Sequence, residues 1–254
     1  MKKPLLTLGA LLCALTATAH AETLRFATDA SYPPFSQQGP DGKMAGFDPD
    51  IARALCATMK VTCEVVPQDF DGIIPALNAK KFDVIIASMN ITEDRKKAVN
   101  FSDKYYNMPS RLVAKNGTAI NDAWFKGKKI GVLRSSIQEK YARDHWVKQG
   151  AKLVPYGKAP ESFLDLKAGR LDASFVDAAV GETDFLKTAN GKDFAFAGPA
   201  YNEAKYFGDG AGIAVRKSDT ALLERINKAL KQIRADGSYD KIQKKYFSFD
   251  IYGK

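Results

Sequence analysis

A thirteen-residue pattern occurs twice in this chain. Ala76-Leu-Asn-Ala-Lys-Lys-Phe-Asp-Val-Ile-Ile-Ala-Ser88 aligns without gaps on Asp165-Leu-Lys-Ala-Gly-Arg-Leu-Asp-Ala-Ser-Phe-Val-Asp177, 89 residues further on. Leu77 matches Leu166, Ala79 matches Ala168, Lys81 matches Arg170 and Asp83 matches Asp172. Each copy reads as a short helix, a basic turn, an Asp and a buried strand, and two such units imply two similar α/β lobes. They also put Ser88 and Asp177 at equivalent points just past the carboxyl ends of strands, where open α/β sheets bind their ligands. Elsewhere, short apolar runs at 24–27, 61–66, 130–133 and 153–155 alternate with helical patterns, as do 84–87 and 173–176 within the repeat itself. That alternation predicts α/β architecture with largely parallel sheets. A length of 254 residues suits one large domain or two modest ones.

The first 21 residues read as a secretory signal peptide. Lys2 and Lys3 form a basic start, an apolar run covers 5–17, and Ala19-His20-Ala21 supplies small residues before a cleavage point at Glu22. The run is too short to span a bilayer. Its removal takes Lys2 and Lys3 away and lowers the net charge from +9 to +7. Such a basic balance would suit nucleic acid or an anionic surface, but export removes nucleic acid from consideration. Cys13 leaves with the leader, so Cys56 and Cys63 remain as one pair. In an oxidising compartment this pair favours a disulfide, two buried free thiols being the alternative. With His145 the remaining histidine, no metal site is expected, and no Walker loop or dinucleotide fingerprint is present.

Helix punctuation is clear in places. Asp48-Pro49-Asp50 predicts a helix with Asp48 as N-cap and Pro49 at the first helical position. Near the C-terminus Leu222, Leu223, Ile226, Leu230 and Ile233 keep helical spacing from Ser218 until Gly237.

Three further segments carry chemistry. In Asn90-Ile-Thr-Glu-Asp-Arg95, Thr92 is a cap and Glu93 and Asp94 form an acidic first turn. Arg95 adds a cation to the positive end of the helix, which is unfavourable unless an anion sits there. It either pairs with Glu93, Asp94 or Asp103, or, with Ser88, forms a carboxylate site. In Leu133-Arg-Ser-Ser-Ile-Gln138, a helix start after a strand leaves backbone N–H groups at Ser136, Ile137 and Gln138 for an anion, or for self-capping by a serine. Asp29 follows the first strand. Tyr32 is stiffened by the two prolines after it, and Phe70 precedes Asp71, the expected cap of the next helix. Each ring is either core or one face of a slot for an alkyl or guanidinium chain. Catalysis has little to work with, since His145 has no nucleophile motif near it.

The segments Gly46-Phe-Asp-Pro-Asp-Ile51, Phe70-Asp-Gly-Ile-Ile-Pro-Ala-Leu77, Ser88-Met-Asn-Ile-Thr-Glu-Asp-Arg95, residues 201–212 and Tyr246-Phe-Ser-Phe-Asp-Ile-Tyr252 resemble the periplasmic polar amino acid-binding proteins of ABC importers, solute-binding protein family 3. The likeness covers the chain after the leader and is strongest to the lysine/arginine/ornithine-, histidine- and arginine/ornithine-binding members. It implies a two-lobed Venus flytrap fold, with residues 22–109 and 208–254 in one lobe, 110–207 in the other, and hinges near 110–114 and 207–211. It implies further that Arg95 clamps the ligand α-carboxylate, helped by Ser88 and the backbone near Ile137, while Asp177 and Asn90 take the α-ammonium. Tyr32 and Phe70 would sandwich the side chain, Asp29 would meet a distal cation, and Met89, Leu133 and Gln138 would complete the pocket. The family's disulfide falls on Cys56 and Cys63. Departures from the family pattern are Pro49, Ala87, Asn90 and Ser135-Ser136-Ile137.

The resulting expectation is a monomeric periplasmic binding protein for a basic L-amino acid, arginine or ornithine first and lysine or histidine next, which serves an inner-membrane ABC permease without cofactor, metal or covalent chemistry. The rivals are a periplasmic cyclohexadienyl or arogenate dehydratase on the same fold, and a ligand-sensing adaptor.

Overall fold

The computed structural model describes residues 22–253, so the expected leader at 1–21 lies outside the described residues. Two five-stranded sheets share one topology. The first runs Thr62–Pro67, Thr23–Thr28, Val84–Ile85, Ala211–Arg216, Val99–Tyr106, and the second runs Lys152–Tyr156, Lys129–Leu133, Ala173–Asp177, Ser110–Lys115, Phe194–Tyr201. In each, the first three strands pair in parallel and the fourth pairs antiparallel with the strand on either side. The repeated strands, Val84–Ile85 and Ala173–Asp177, both hold the central place. The internal echo is therefore structural.

The expectation of largely parallel sheets is corrected, because half of the pairings are antiparallel. The strands responsible carry the chain between the sheets. It leaves the first sheet after Tyr106, enters the second at Ser110, and returns from Tyr201 to Ala211. A crossing strand approaches its neighbours from the far side and so runs against them, a property of the connection that no local apolar run encodes. The return path is tight: Gly208 has φ +64°, and a Cβ there would collide with the Ile91 carbonyl oxygen. Ile91 N–H donates to Gly210 O at 2.9 Å and Gly212 N–H to Met89 O at 3.0 Å.

Each sheet buries an aromatic core. Phe35, Phe47, Tyr105, Tyr106 and Phe247 pack together in the first lobe, and Phe125, Tyr141, Trp146, Phe175 and Tyr201 in the second. Burying one such ring stabilises the fold by about 1.5–3 kcal/mol. His145 belongs to the second core, stacked on Tyr141 at 4.3 Å. A disulfide joins Cys56 and Cys63, with Cα atoms 5.7 Å apart, and ties helix Phe47–Met59 to the edge strand of the first sheet.

Two helix caps differ from expectation. Helix Phe47–Met59 begins one residue before Asp48, with Gly46 as its N-cap at φ +123°. Asp48 is drawn inward among the rings instead of capping, and is fully buried. Asp71 caps nothing: it lies inside the 3-10 turn Phe70–Gly72 that precedes helix Ile73–Asn78, and its carboxylate takes Arg134 at 3.1 Å. In both cases a distant partner outcompetes the local N–H. Thr92 does cap its helix, accepting from Arg95 N–H, and Gly237 separates helices Thr220–Ala235 and Ser238–Tyr246 in a left-handed conformation.

Candidate ligand site

A narrow cleft lies between the two sheets at the carboxyl ends of their parallel strands. It is lined by Asp29, Tyr32, Phe70, Ala87, Ser88, Asn90, Arg95, Leu133, Ser136, Ile137, Gln138 and Asp177. Ten of the eleven residues singled out from the sequence are brought together here. Met89 is not among them. The chain turns at Ser88, which has φ +52°, and the Met89 side chain that follows joins the hydrophobic core, 1% exposed. Two lining residues had not been singled out as site residues. Ala87 offers no chemistry to notice, and the sequence offers Ser136 as a backbone donor or a self-capping serine, the second of which it is.

Strand ends and helix starts deliver these groups. Asp29 follows strand Thr23–Thr28, and its Oδ1 accepts from Ser31 N–H at 2.8 Å and Ser31 Oγ at 2.9 Å. Among the described residues its Oδ2 takes no hydrogen bond. A small sheet of Ser31–Tyr32, Ser36–Gln38 and Met44–Ala45 holds Tyr32, whose hydroxyl donates across the cleft to Asp177 Oδ2 at 2.9 Å. Asp177 Oδ1 accepts from Gln138 Nε2 at 2.7 Å and Ser110 Oγ at 3.1 Å. Burial nevertheless dominates: it pushes the Asp177 carboxyl up to about 6, against the pull of these donors and of the Arg95 charge. Burial also raises Asp29, again against its hydrogen bonds.

Arg95 resolves the alternative left open by the sequence. Glu93 pairs with Lys96 and Asp94 with Lys97 and Lys140, so no carboxylate among the described residues lies within 4.0 Å of the Arg95 guanidinium. Nη1 donates to Asn90 O at 3.1 Å and Nη2 crosses the cleft to Ser135 O at 3.3 Å, and the group lies 5.3 Å from the centre of the Phe70 ring. Burial lowers its pKa to about 10, which keeps it cationic at neutral pH.

At the opposing helix start, Ser136 Oγ accepts from Glu139 N–H at 3.0 Å, and Ser136 N–H donates to Leu133 O at 3.3 Å. The Ser136 N–H is thereby spent, which corrects the expectation of three free donors. Ile137 and Gln138, the first two residues of helix Ile137–His145, have no intrahelical acceptor for theirs. Asn90 Nδ2 donates to Phe207 O at 2.9 Å, leaving Oδ1 as an acceptor. The pocket therefore holds one cation, two buried carboxylates and two aromatic rings. Among the described residues no helix is long and apolar enough to cross a membrane, and no group of His, Cys, Asp and Glu could hold a metal ion.

Known proteins are similar to this chain over nearly all of its length. The L-arginine-binding protein of Pseudomonas aeruginosa is 50% identical, covering 99% of both chains. The lysine/arginine/ornithine-binding periplasmic protein of Escherichia coli is 46% identical over the full length of both. A solved periplasmic binding protein of Salmonella typhimurium, described for its high arginine specificity, superposes with a TM-score of 0.84 at 38% identity, covering 90% of this chain and 100% of that one. Residues 24–249 match the bacterial extracellular solute-binding proteins, family 3. With two lobes of one topology facing a shared cleft, the chain belongs to that family.

Proposed function

We propose that this protein captures a basic L-amino acid in the periplasm, arginine or ornithine before lysine or histidine, and passes it as a monomer to an inner-membrane ABC permease. The observation that carries the reading is the charge set of the pocket. Among the described residues Arg95 has no carboxylate within 4.0 Å, and buried Asp29 and Asp177 have no cation within that distance. A zwitterion with a distal cation supplies one carboxylate and two cations, matching the three groups. Arg95 and the N–H groups of Ile137 and Gln138 take the α-carboxylate, Asp177 and Asn90 Oδ1 take the α-ammonium, and Asp29 Oδ2 meets the distal cation. Tyr32 and Phe70 hold the aliphatic stem. We place the lobe boundaries at 109/110 and 207/208, with the crossing strands as hinges. Contacts made to both lobes give the ligand its higher affinity for the closed form, which is the differential that closure requires.

We read the protein as a binder rather than a dehydratase. A general acid must present a proton to its substrate, whereas Asp177 has three donors aimed at it and is held as an acceptor. The deciding experiment is thermal unfolding of ligand-stripped protein against a panel of amino acids. At a hundredfold excess over Kd the right ligand adds about 2.7 kcal/mol of stability. No shift with arginine, ornithine, lysine or histidine overturns the reading.

A further inference from the structure

Asp48 is a carboxylate with no role in the site so far, yet it lies directly behind it. It is 0% exposed and has no cation against it among the described residues. Its Oδ1 accepts from the Tyr105 hydroxyl at 2.8 Å and its Oδ2 from Ser88 Oγ at 3.1 Å. The Tyr105 hydroxyl oxygen in turn accepts from the Ser88 N–H at 3.1 Å, so its own proton has Asp48 as its destination. The rings of Phe47, Tyr105 and Tyr106 close off the neighbourhood. Ser88 is held between this carboxylate and the cleft with φ +52°, a left-handed conformation that a serine adopts at a cost, so the surrounding bonds over-determine its position.

A serine hydroxyl has one proton and two lone pairs. An ionised carboxylate can only accept, so Ser88 gives its proton to Asp48 and faces the cleft with lone pairs alone. We propose that Asp48 is a positioning residue that fixes Ser88 as a hydrogen-bond acceptor toward the ligand, assigning Ser88 to the α-ammonium rather than to the α-carboxylate. This rests on the amino acid-binding reading above and reverses the role that resemblance suggested for Ser88. It also makes electrostatic sense. The chain from ammonium to Ser88 Oγ to Asp48 runs in one direction, each bond polarising the next, and ends on a negative charge in a medium of low polarity. Asn90 Oδ1 and Asp177 add two more acceptors, while the donors Arg95 and the Ile137 and Gln138 N–H groups serve the other end. Burial pushes Asp48 up to about 7, so the ionised arrangement is tested above that pH.

The test uses three probes at pH 8 by calorimetric titration. L-arginine has both α-groups, desamino-arginine keeps the carboxylate and guanidinium without the ammonium, and agmatine keeps the ammonium without the carboxylate. Asp48→Asn is nearly isosteric, and its amide would donate to Ser88, turning the hydroxyl proton toward the cleft. It should weaken L-arginine and agmatine about tenfold each and change desamino-arginine by less than twofold. Ser88→Ala should give the same ligand pattern, and adding Asp48→Asn to it should cost nothing more on either ammonium-bearing probe. The second variant carries the test if Asp48→Asn lowers the melting temperature too far. Equal losses on all three probes would mean a merely structural role and overturn the proposal, as would losses that follow the carboxylate. Wild-type protein that binds L-arginine but shows either pattern leaves the amino acid reading standing, whereas wild-type protein that binds no probe overturns that reading and this inference together.

Discussion

The two lobes have the same strand order, yet they bring opposite chemistry to the cleft. In the first, the central strand Val84–Ile85 stops after two residues and the chain turns through a left-handed Ser88 toward Arg95. In the second, the equivalent strand Ala173–Asp177 continues to the cleft and ends on a buried carboxylate that accepts from Tyr32 of the first lobe. Ser88 and Asp177 are matching positions of one repeat. A repeated fold thus fixes where a ligand can sit, while the side chain at the end of the strand decides which charge it meets.

Breaking the comparison at its cation should have the largest effect. Arg95→Ala removes the positive group of the pocket, and truncating one partner of a buried charge pair costs about 2–5 kcal/mol. Isothermal titration should find every amino acid ligand weakened by roughly thirtyfold or more, and an unchanged affinity for any tight ligand would remove the carboxylate role. The disulfide separates the lobes in another way, because the described residues hold one in the first lobe and none in the second. Reducing it should lower unfolding stability by about 2–3 kcal/mol, the value for closing so short a loop, and leave the arginine Kd near its oxidised value. Chemical denaturation with and without reductant, paired with titration, checks both halves.

Asp29 and Asp177 distinguish ligand class from ligand backbone. Asp29→Asn should weaken arginine by about 2 kcal/mol, the scale of a charge-assisted hydrogen bond, and glutamine hardly at all. Equal losses would detach Asp29 from the distal cation. Asp177 contributes pH dependence of definite sign. Its carboxyl lies at about 6 in the unliganded protein, and an ammonium requires the ionised form. The Asp177 contribution to affinity is flat above that pH and falls as pH drops through it, by about tenfold at pH 5 relative to pH 7.5. The same upward shift contributes stability to the empty protein as pH falls from 7 toward 4, since folded Asp177 binds the proton more tightly than unfolded Asp177. Asp177→Asn should remove this contribution from both profiles, leaving those of buried Asp48 and half-buried Asp184.

The smallest effect belongs to the pair at the cleft rim. Arg134 meets Asp71 at 3.1 Å across the lobes, about half exposed on the arginine side, and such pairs contribute about 0.2–1 kcal/mol. Arg134→Ala should speed ligand release by up to about fivefold at low salt and change little at high salt, which stopped-flow dissociation would read.

Much of this was legible in the chain itself. The repeat announced two like units, and among the described residues every apolar run named from the sequence overlaps a strand of one of the two sheets. Thr92 and Gly237 set helix ends by local geometry, which sequence carries well. Asp48 and Asp71 looked like caps by the same rule and are not, because each found a partner far away in the chain: Tyr105 and Ser88 for one, Arg134 for the other. The antiparallel crossing strands were also hidden, since their direction follows from the route between sheets. Met89 lies in the core although its neighbours Ser88 and Asn90 line the cleft, because the left-handed turn at Ser88 redirects the chain there.

The sequence by itself determined the α/β class, the paired units and the residue types available to a charged ligand, since periodicity, capping and turn chemistry act over a few residues. Tertiary structure alone decided which side chains converge, that Arg95 stays without a carboxylate, and that Ser88 gives its proton to a buried Asp48. Those outcomes depend on desolvation and on contacts between segments 40 or more residues apart, which no local pattern records.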